Sequence, residues 1–213
     1  MKTNRIDSHD YHDYVIKDGR LVGEFENMYQ NCDNPWPESI EDMEANTASK
    51  RIKKLIDEYK IGSILSLGSG LGRHLNWLIE GHENIKAEGV ELSKTAADFS
   101  FDKFPNIKIH NCNVIDFLRT NKHSYDLIIM REIIWYVLEE IEEIFDILKS
   151  NHKGSFLAIE LSFPDDQKYG AEHFYGISEF IDKFKFEIIE EHRINPLEKY
   201  PIETGYLMIY SKI

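Results

Sequence analysis

The first residues that can do chemistry lie in a glycine-rich turn. Gly68, Gly70 and Gly72 follow the apolar segment Ser63–Leu67 and precede a helical stretch that contains Arg73. Glycines at these positions allow a tight turn, and they let backbone N–H groups at a helix N-terminus approach an electronegative ligand closely. The spacing G-x-G-x-G differs from the G-x-G-x-x-G pattern that suits a dinucleotide pyrophosphate. We therefore predict a nucleotide-like ligand other than a nicotinamide dinucleotide, with a purely structural turn as the alternative.

An acidic residue ends the next apolar segment. Glu91 follows Gly89 and Val90 and lies 19 residues after Gly72. A carboxylate about 20 residues beyond such a turn can accept hydrogen bonds from both hydroxyl groups of a ribose. A surface acid at a strand end is the alternative, but the register with the glycine turn favours ribose binding by Glu91.

Titratable and aromatic side chains crowd the segment after the apolar run Phe156–Leu161. This segment begins Ser162-Phe-Pro-Asp-Asp and continues through Lys168, His173 and Tyr175. A loop with this composition is a suitable wall for a small-molecule acceptor. His173 can remove a proton from a hydroxyl or ammonium group near neutral pH, although an ordinary exposed loop histidine fits the sequence equally well.

The elements that position these residues alternate between short apolar strands and amphipathic helices. This alternation is typical of βαβ units and a parallel sheet. Strands are predicted at Ser63–Leu67, Ala87–Glu91, Ile107–Asn111, Tyr125–Met130 and Phe156–Leu161. Two further strands, Phe186–Glu190 and Tyr206–Tyr210, are joined by a loop that contains Pro196, Pro201 and Gly205. They indicate an antiparallel pair at the carboxyl edge.

Capping signals and apolar stripes predict the helices. One helix begins with a capping box at Ser39 and Asp42 and continues through the stripe Ile52, Leu55, Ile56 and Tyr59. A second stripe is formed by Ile141, Ile144, Phe145 and Leu148, and Ser178 is predicted to cap a helix toward Phe184.

The amino-terminal segment has a different character. It is polar and has no sustained period, apart from a hairpin signal at Asp18-Gly19 between apolar residues. We therefore predict an appended segment, residues 1–37, and one domain, residues 38–213.

Composition excludes several classes of function. The 213 residues include 25 Lys and Arg against 38 Asp and Glu, and a net charge of −13 disfavours a nucleic-acid partner. The apolar runs are strand-sized and no leader is evident, so we expect a cytoplasmic protein with no membrane contact. Cys32 and Cys112 lie far apart and His9-x-x-His12 has no third ligand nearby, so no metal site is predicted.

Taken in order, these motifs make the chain resemble a class I S-adenosylmethionine-dependent methyltransferase. The similarity covers about residues 27–213. The segment Ile64–Gly72 resembles the first motif of the family, Gly89–Ser93 the second, Asn111–Val114 the adenine-contacting third, and Tyr125–Glu132 the fourth strand. The resemblance implies a Rossmann-like, doubly wound α/β fold with a seven-stranded, mostly parallel sheet and an antiparallel carboxyl-terminal strand.

The resemblance also implies a set of site residues. S-adenosylmethionine, with S-adenosylhomocysteine as product, is expected to contact Gly68, Ser69, Gly70, Glu91, Leu92, Asn113, Val114, Arg131, Tyr29 and Trp36. Glu132 is a second candidate base beside His173, and Trp135, Tyr136 and Tyr175 are expected to contact the acceptor. Helix packing by Trp135 and a salt bridge by Arg131 are the alternatives.

Two departures and one addition qualify the resemblance. The family usually has an acid where this chain has Ser66, and often Asp where it has Asn113. Ser66 cannot offer a carboxylate to the methionine ammonium, whereas the amide oxygen of Asn113 can still accept from adenine. The region around Tyr29 and Trp36 resembles the amino-terminal lid of small-molecule and sugar methyltransferases of the nodulation S type. Surface aromatic residues packing on a helix are the alternative.

The resemblance implies methyl transfer, without a metal, to an oxygen or nitrogen of a small polar acceptor. Amino-acid usage rich in Lys, Ile and Asn, together with the resemblance of the lid to glycan-modifying relatives, points to a bacterial enzyme that modifies a surface-polysaccharide precursor. A catalytically silent partner subunit that binds an adenosyl nucleotide and a nicotinamide-dependent oxidoreductase are the alternatives. Neither the oligomeric state nor the choice between oxygen and nitrogen follows from the sequence.

Overall fold

A seven-stranded sheet lies at the centre of the computed structural model, which describes residues 8–36, 38–163, 167–185, 187–194 and 205–213. A separate hairpin is formed by β1 (Ile16–Lys17) and β2 (Arg20–Leu21). The sheet contains β3 (Ser63–Leu67), β4 (Lys86–Glu91), β5 (Ile107–Asn111), β6 (Leu127–Arg131), β7 (Phe156–Phe163), β8 (Glu187–Ile194) and β9 (Gly205–Lys212). Each strand that the sequence predicts is present, with bounds shifted by up to four residues.

The strand order is β5-β4-β3-β6-β7-β9-β8. Strands β3 to β7 pair in parallel, whereas β9 is antiparallel to both of its neighbours, β7 and β8. This arrangement confirms the predicted doubly wound, mostly parallel sheet with an antiparallel carboxyl-terminal strand. Phe186 and the predicted loop with Pro196 and Pro201 lie outside the described residues.

Helices flank the sheet and connect its strands. They are α1 (Phe25–Asn31), α2 (Ile40–Ala45), α3 (Thr47–Glu58), α4 (Arg73–Leu78), α5 (Lys94–Lys103), α6 (Val114–Thr120), α7 (Ile141–Asn151) and α8 (Gly176–Phe184). Short 3-10 turns occur at Tyr11–Asp13, Ile134–Tyr136 and Leu138–Glu140. No helix in the described part of the chain is long and apolar enough to cross a membrane.

Alternating strand residues pack on opposite faces of the sheet. Ile64 and Ile129 belong to one apolar cluster with residues of α3 and α4, whereas Leu65 and Met130 belong to another with residues of α6, α7 and α8. Because both faces are covered, the central strands are mostly apolar, and residues 127–130 of β6 form an unbroken apolar run. The carboxyl ends of the strands therefore remain as the edge at which a site can form.

Three helix predictions need correction. The single helix expected after Ser39 is two helices, because Asn46 ends α2 and its side chain caps α3. The predicted stripe includes Tyr59, but this residue follows the last residue of α3 and is 43% exposed. Helix α8 begins at Gly176, so Ser178 lies inside it rather than at its cap.

The amino-terminal segment folds more fully than its polar composition indicates. Asp18 and Gly19 form the predicted two-residue hairpin turn, with φ of 52° and 71°. Tyr14 and Met28 are 0% exposed and form an apolar cluster with Leu71. The absence of a sustained period therefore did not predict this burial, because contacts between distant residues replace a regular period.

Candidate active site

A cavity of about 380 Å³ opens where β3, β4, β6 and β7 end. Its volume lies within the range of small-molecule sites, roughly 300–1,000 Å³. The structure brings all ten residues predicted to contact the cofactor into its lining: Gly68, Ser69, Gly70, Glu91, Leu92, Asn113, Val114, Arg131, Tyr29 and Trp36. Their roles in binding stay predictions.

The turn after β3 has the backbone shape that its glycines allow. Gly70 has a φ of 55°, and a Cβ atom added there would lie 3.0 Å from the Tyr29 hydroxyl oxygen. A Cβ atom at Gly68 would overlap the side chain of Ile133, which follows β6. The turn therefore packs closely against the residues that follow β6, while its remaining side faces the cavity.

Glu91 is buried at the end of β4 and links two of the motifs. Its two carboxylate oxygens accept 2.8 Å hydrogen bonds from the backbone N–H groups of Gly70 and Ser93. Burial raises the pKa of Glu91, and the N–H groups of Ser93 and Gly70 oppose that rise. Each carboxylate oxygen retains acceptor capacity, so the pair can receive the two hydroxyl groups of a ribose.

Asn113 performs a structural task at the same edge. Its amide oxygen accepts a 2.9 Å hydrogen bond from the N–H group of Ile115 and so caps α6. The oxygen can accept a second hydrogen bond, which leaves the predicted contact with an adenine amino group possible. Leu92 and Val114 line the cavity beside it and offer apolar surface for a base.

Arg131 lies between two carboxylates at the end of β6. Its Nε donates to Glu160 at 3.0 Å and its guanidinium donates to Glu38 at 3.1 Å. Glu160 also accepts a 3.0 Å hydrogen bond from the side-chain amide of Asn46. Arg131 therefore forms the salt bridge that is the alternative expected from the sequence. The positive charge of its guanidinium is shared by two carboxylates.

Glu132 has an unusual backbone conformation for its residue type. Its φ is 54°, in the left-handed region that non-glycine residues rarely adopt. Its carboxylate accepts from the Ser162 hydroxyl at 2.6 Å and from the Ser162 N–H group at 3.2 Å. Burial and the neighbouring charge of Glu160 raise the pKa of Glu132 to about 7, against the effect of these hydrogen bonds. The carboxyl group can therefore gain or lose a proton near neutral pH.

Aromatic rings form the wall opposite the strand ends. The Trp36 indole N–H donates to the Tyr29 hydroxyl at 3.1 Å, and Phe25 packs edge-on against Tyr136 with ring centres 5.0 Å apart. Burial raises the pKa of Tyr29 well above its ordinary value. Its hydroxyl thus stays protonated and keeps a hydrogen to donate.

Three predicted residues lie outside the cavity lining. The Trp135 indole donates to the Ser162 carbonyl at 2.9 Å and packs against Phe163 and Phe174, as in the packing alternative. Tyr175 is 56% exposed, and His173 follows a turn at Gly170. The structure does not bring these residues to the cavity, and their catalytic or acceptor roles stay predictions. Residues 164–166 of the predicted acceptor loop lie outside the described residues.

Sequence reasoning missed four polar residues of the lining, which are Glu38, Asn46, His74 and Glu160. Glu160 had one available signal, because it is an acid inside the otherwise apolar strand β7. His74 is buried with a ring nitrogen 3.1 Å from the Ser49 hydroxyl, and burial lowers its pKa well below the ordinary value. This imidazole is therefore neutral in the fold.

Among the described residues, no group of three His, Cys, Asp or Glu side chains is arranged to hold a metal ion. Cys32 and Cys112 are free thiols.

No protein-family model and no curated protein sequence matches this chain. Solved structures do match it. The N-methyltransferase NodS from Bradyrhizobium japonicum WM9, solved with S-adenosyl-l-homocysteine, is 14% identical with a TM-score of 0.64, and the match covers 95% of this chain and 96% of that one.

Two further structures show the range of proteins with this architecture. The plantazolicin methyltransferase BamL, solved with a triazolic desmethylPZN analog and SAH, is 12% identical with a TM-score of 0.57, covering 79% of this chain and 87% of its own. The [4+2]-cyclase SpnF is 13% identical with a TM-score of 0.59, covering 76% and 79%. The chain thus has the Rossmann-like fold of class I S-adenosylmethionine-dependent methyltransferases, as the resemblance predicts.

Proposed function

We propose that this chain is an S-adenosylmethionine-dependent methyltransferase that acts on an oxygen or nitrogen of a small polar acceptor. The observation that carries the proposal is the hydrogen bond from Gly70 to Glu91. It joins the glycine turn and the ribose-binding acid in one cavity, at the strand ends where open α/β sheets bind nucleotides. The complexes of NodS and BamL with S-adenosylhomocysteine support the choice of cofactor.

The cavity fits this cofactor in chemistry as well as in size. Glu91 can accept from ribose, and Leu92, Asn113 and Val114 can surround adenine. When bound, S-adenosylmethionine supplies a methyl group attached to a positively charged sulfonium. The sulfur is left as a neutral thioether once the methyl group has been transferred. Aromatic faces and carboxylates both attract such a cation. The lining provides both kinds of group.

This chain's own residues then have two tasks, which are to orient the acceptor and to take up its proton. Glu132 is the candidate base, because its carboxylate lies in the lining and titrates near neutral pH. Ser162 fixes the carboxylate by two hydrogen bonds. Tyr136 lines the same part of the cavity and can contact the acceptor.

The charges of the lining restrict the acceptor. Four carboxyl groups, those of Glu38, Glu91, Glu132 and Glu160, accompany the single guanidinium of Arg131. Burial raises the pKa values of Glu38 and Glu91, which shows that negative charge is unfavourable there. A cationic acceptor relieves this cost, a neutral acceptor does not add to it, and an anionic acceptor increases it. We therefore favour amines and neutral hydroxyl compounds over phosphorylated or carboxylated acceptors.

A surface-polysaccharide precursor remains our proposal for the acceptor, and the charge argument narrows it to a neutral or amino sugar. The fold alone does not decide the reaction, since the SpnF structure is that of a cyclase. The silent adenosyl-binding subunit is therefore the alternative that must be tested.

The test has two measurements on the purified chain. Calorimetry compares binding of S-adenosylhomocysteine with binding of a nicotinamide dinucleotide. Transfer of a labelled methyl group is then followed on a panel of neutral sugars, amines and sugar phosphates. Binding of S-adenosylhomocysteine with transfer to an uncharged or amine acceptor supports the proposal. Binding of the dinucleotide instead contradicts it, and binding without transfer to any acceptor or to a metabolite extract favours the silent subunit.

A further inference from the structure

Glu26, on α1, makes an unusually dense set of hydrogen bonds to the turn that begins α5. Its carboxylate accepts from the Ser93 hydroxyl at 2.7 Å, the Thr95 hydroxyl at 2.6 Å and the Thr95 backbone N–H group at 3.1 Å. The Gln30 side-chain amide adds a fourth hydrogen bond at 2.8 Å. One side chain of the amino-terminal segment thus holds the first turn of a helix in the main domain.

The turn that Glu26 holds is also the turn that fixes Glu91. The backbone N–H group of Ser93 donates to one carboxylate oxygen of Glu91, and Gly70 donates to the other. Hydrogen bonds therefore connect Glu26, Ser93, Glu91 and Gly70 in series. A change in the docking of α1 can therefore reach the candidate ribose site through Ser93.

The neighbours of Glu26 on α1 line the cavity. Phe25 precedes it, and Tyr29 follows one turn later with its hydroxyl oxygen beside Gly70. Residues three or four positions apart share one helix face, and α1 packs beside α5. The contact of Glu26 with the start of α5 therefore sets the position of α1, and with it the position of the aromatic side chains that line the cavity.

Charge makes this connection strong. Burial alone would raise the pKa of Glu26, but the hydrogen bonds from Thr95, Ser93 and Gln30 outweigh it and lower the pKa to about 2. The carboxylate is therefore ionised at neutral pH. It also lies at the N-terminus of α5, where the helix dipole favours a negative charge.

We infer that Glu26 is a positioning residue, which fixes α1 to the Ser93 turn and so holds Tyr29 and Glu91 in their binding geometry before a ligand arrives. This inference rests on the proposed function in one respect, namely that the ligand is an adenosyl compound. It also modifies the predicted lid, because α1 is already docked on the main domain in this structure. Cofactor affinity should then depend on a residue that does not itself line the cavity.

The experiment compares Glu26→Gln with Glu24→Gln, a neighbouring exposed carboxylate whose side chain accepts from Asn27. Calorimetry with S-adenosylhomocysteine should show weaker binding in Glu26→Gln by about 10-fold or more, since charge-assisted hydrogen bonds typically contribute that much. Glu24→Gln should bind like the unchanged chain. Hydrogen exchange of the Tyr29 amide should be faster in ligand-free Glu26→Gln and unchanged in Glu24→Gln.

A second variant keeps the inference testable if Glu26→Gln does not fold. Thr95→Val removes one donor to Glu26 and leaves the carboxylate in place, so it should weaken binding in the same direction. Adding Thr95→Val to a folded Glu26→Gln should have little further effect. If the unchanged chain binds S-adenosylhomocysteine while both variants bind it equally well, the inference is wrong. If the unchanged chain does not bind it, the proposed function fails instead.

Discussion

The backbone N–H group of Gly70 donates a 2.8 Å hydrogen bond to the carboxylate of Glu91. This contact fixes the turn after β3 against the end of β4, the neighbouring strand. The two motifs are 21 residues apart in the chain, yet they act as one unit at the floor of the cavity. Changes at either residue should therefore affect ligand binding more than folding.

Gly70→Ala should abolish cofactor binding at a modest cost in stability. Its left-handed backbone disfavours a side chain by roughly 1–2 kcal/mol, and the new methyl group would lie against the Tyr29 hydroxyl. Gly81→Ala is the control, because Gly81 has a φ of 86° and open space around its Cβ position. Both variants should lose similar free energy of unfolding in urea, and only Gly70→Ala should lose binding of S-adenosylhomocysteine. Equal binding by the two variants would place the ligand elsewhere.

Glu91→Gln should weaken binding of S-adenosylhomocysteine by roughly 1.5–3 kcal/mol, because charge-assisted hydrogen bonds to ribose are lost. The glutamine amide also cannot accept from both Gly70 and Ser93 through two oxygens. Asp98→Asn, an exposed acid on α5 that pairs with Lys94, is the control and should bind normally. Calorimetry on both variants decides, and retained affinity in Glu91→Gln would remove this residue from the ribose site.

Glu132→Gln should lower turnover by about 100- to 10,000-fold, the usual contribution of a general base, while S-adenosylhomocysteine still binds. In the unchanged chain, turnover should rise with pH through about 7, where Glu132 loses its proton. His173→Ala is the comparison, and it should leave turnover nearly unchanged because His173 lies outside the cavity lining. The opposite result would assign the base to His173.

The same carboxyl group should also make stability depend on pH. Because its pKa is raised in the fold, its stabilising contribution is present below the ordinary value of 4.5 and is lost as pH rises through about 7. The unchanged chain should therefore lose stability relative to Glu132→Gln over that interval, by an amount on the order of 3 kcal/mol. Urea unfolding of both proteins at pH 5 and pH 8 measures the difference.

Arg131→Met should be strongly destabilising. It leaves Glu38 and Glu160 without their shared cation inside the cavity, and breaking a buried ion pair in this way typically costs about 3–5 kcal/mol. The loss should be larger at pH 8 than at pH 5, since burial raises the pKa of Glu38 and protonation of that acid relieves it. Arg119→Met breaks an exposed pair with Glu143 and should change the free energy of unfolding little. Similar losses in the two variants would mean that the cavity acids are well solvated.

Sequence reasoning succeeded where neighbouring residues determine the structure. The bounds of β3 and β5 match, because apolar runs bounded by turn residues leave few alternatives. The Asp18-Gly19 turn also followed from local chemistry. The cavity lining was predictable from Gly70 and Glu91 because parallel strands bring successive motifs to one edge of the sheet.

It failed where the partner is distant in the chain. Glu160 accepts from Arg131 29 residues away and from Asn46 114 residues away, and no local pattern encodes either contact. Tyr14 and Met28 pack in a cluster that includes Leu71 of the main domain, and no regular period in their own segment predicts that contact. The contact between Glu26 and Ser93 likewise joins residues that are 67 positions apart, so no local pattern predicts it.

Asn46 occupies a position at which few substitutions should be tolerated. Its amide oxygen caps α3 by accepting from the Ser49 N–H group at 2.7 Å, while its amide nitrogen donates to Glu160 at 3.0 Å. Aspartate, serine and threonine are normally interchangeable with asparagine at a helix start. Aspartate here would bring a second carboxylate against Glu160, and the hydroxyl residues are too short to serve both neighbours. The residues that usually replace asparagine at a helix start are therefore disfavoured here by the neighbouring carboxylate of Glu160.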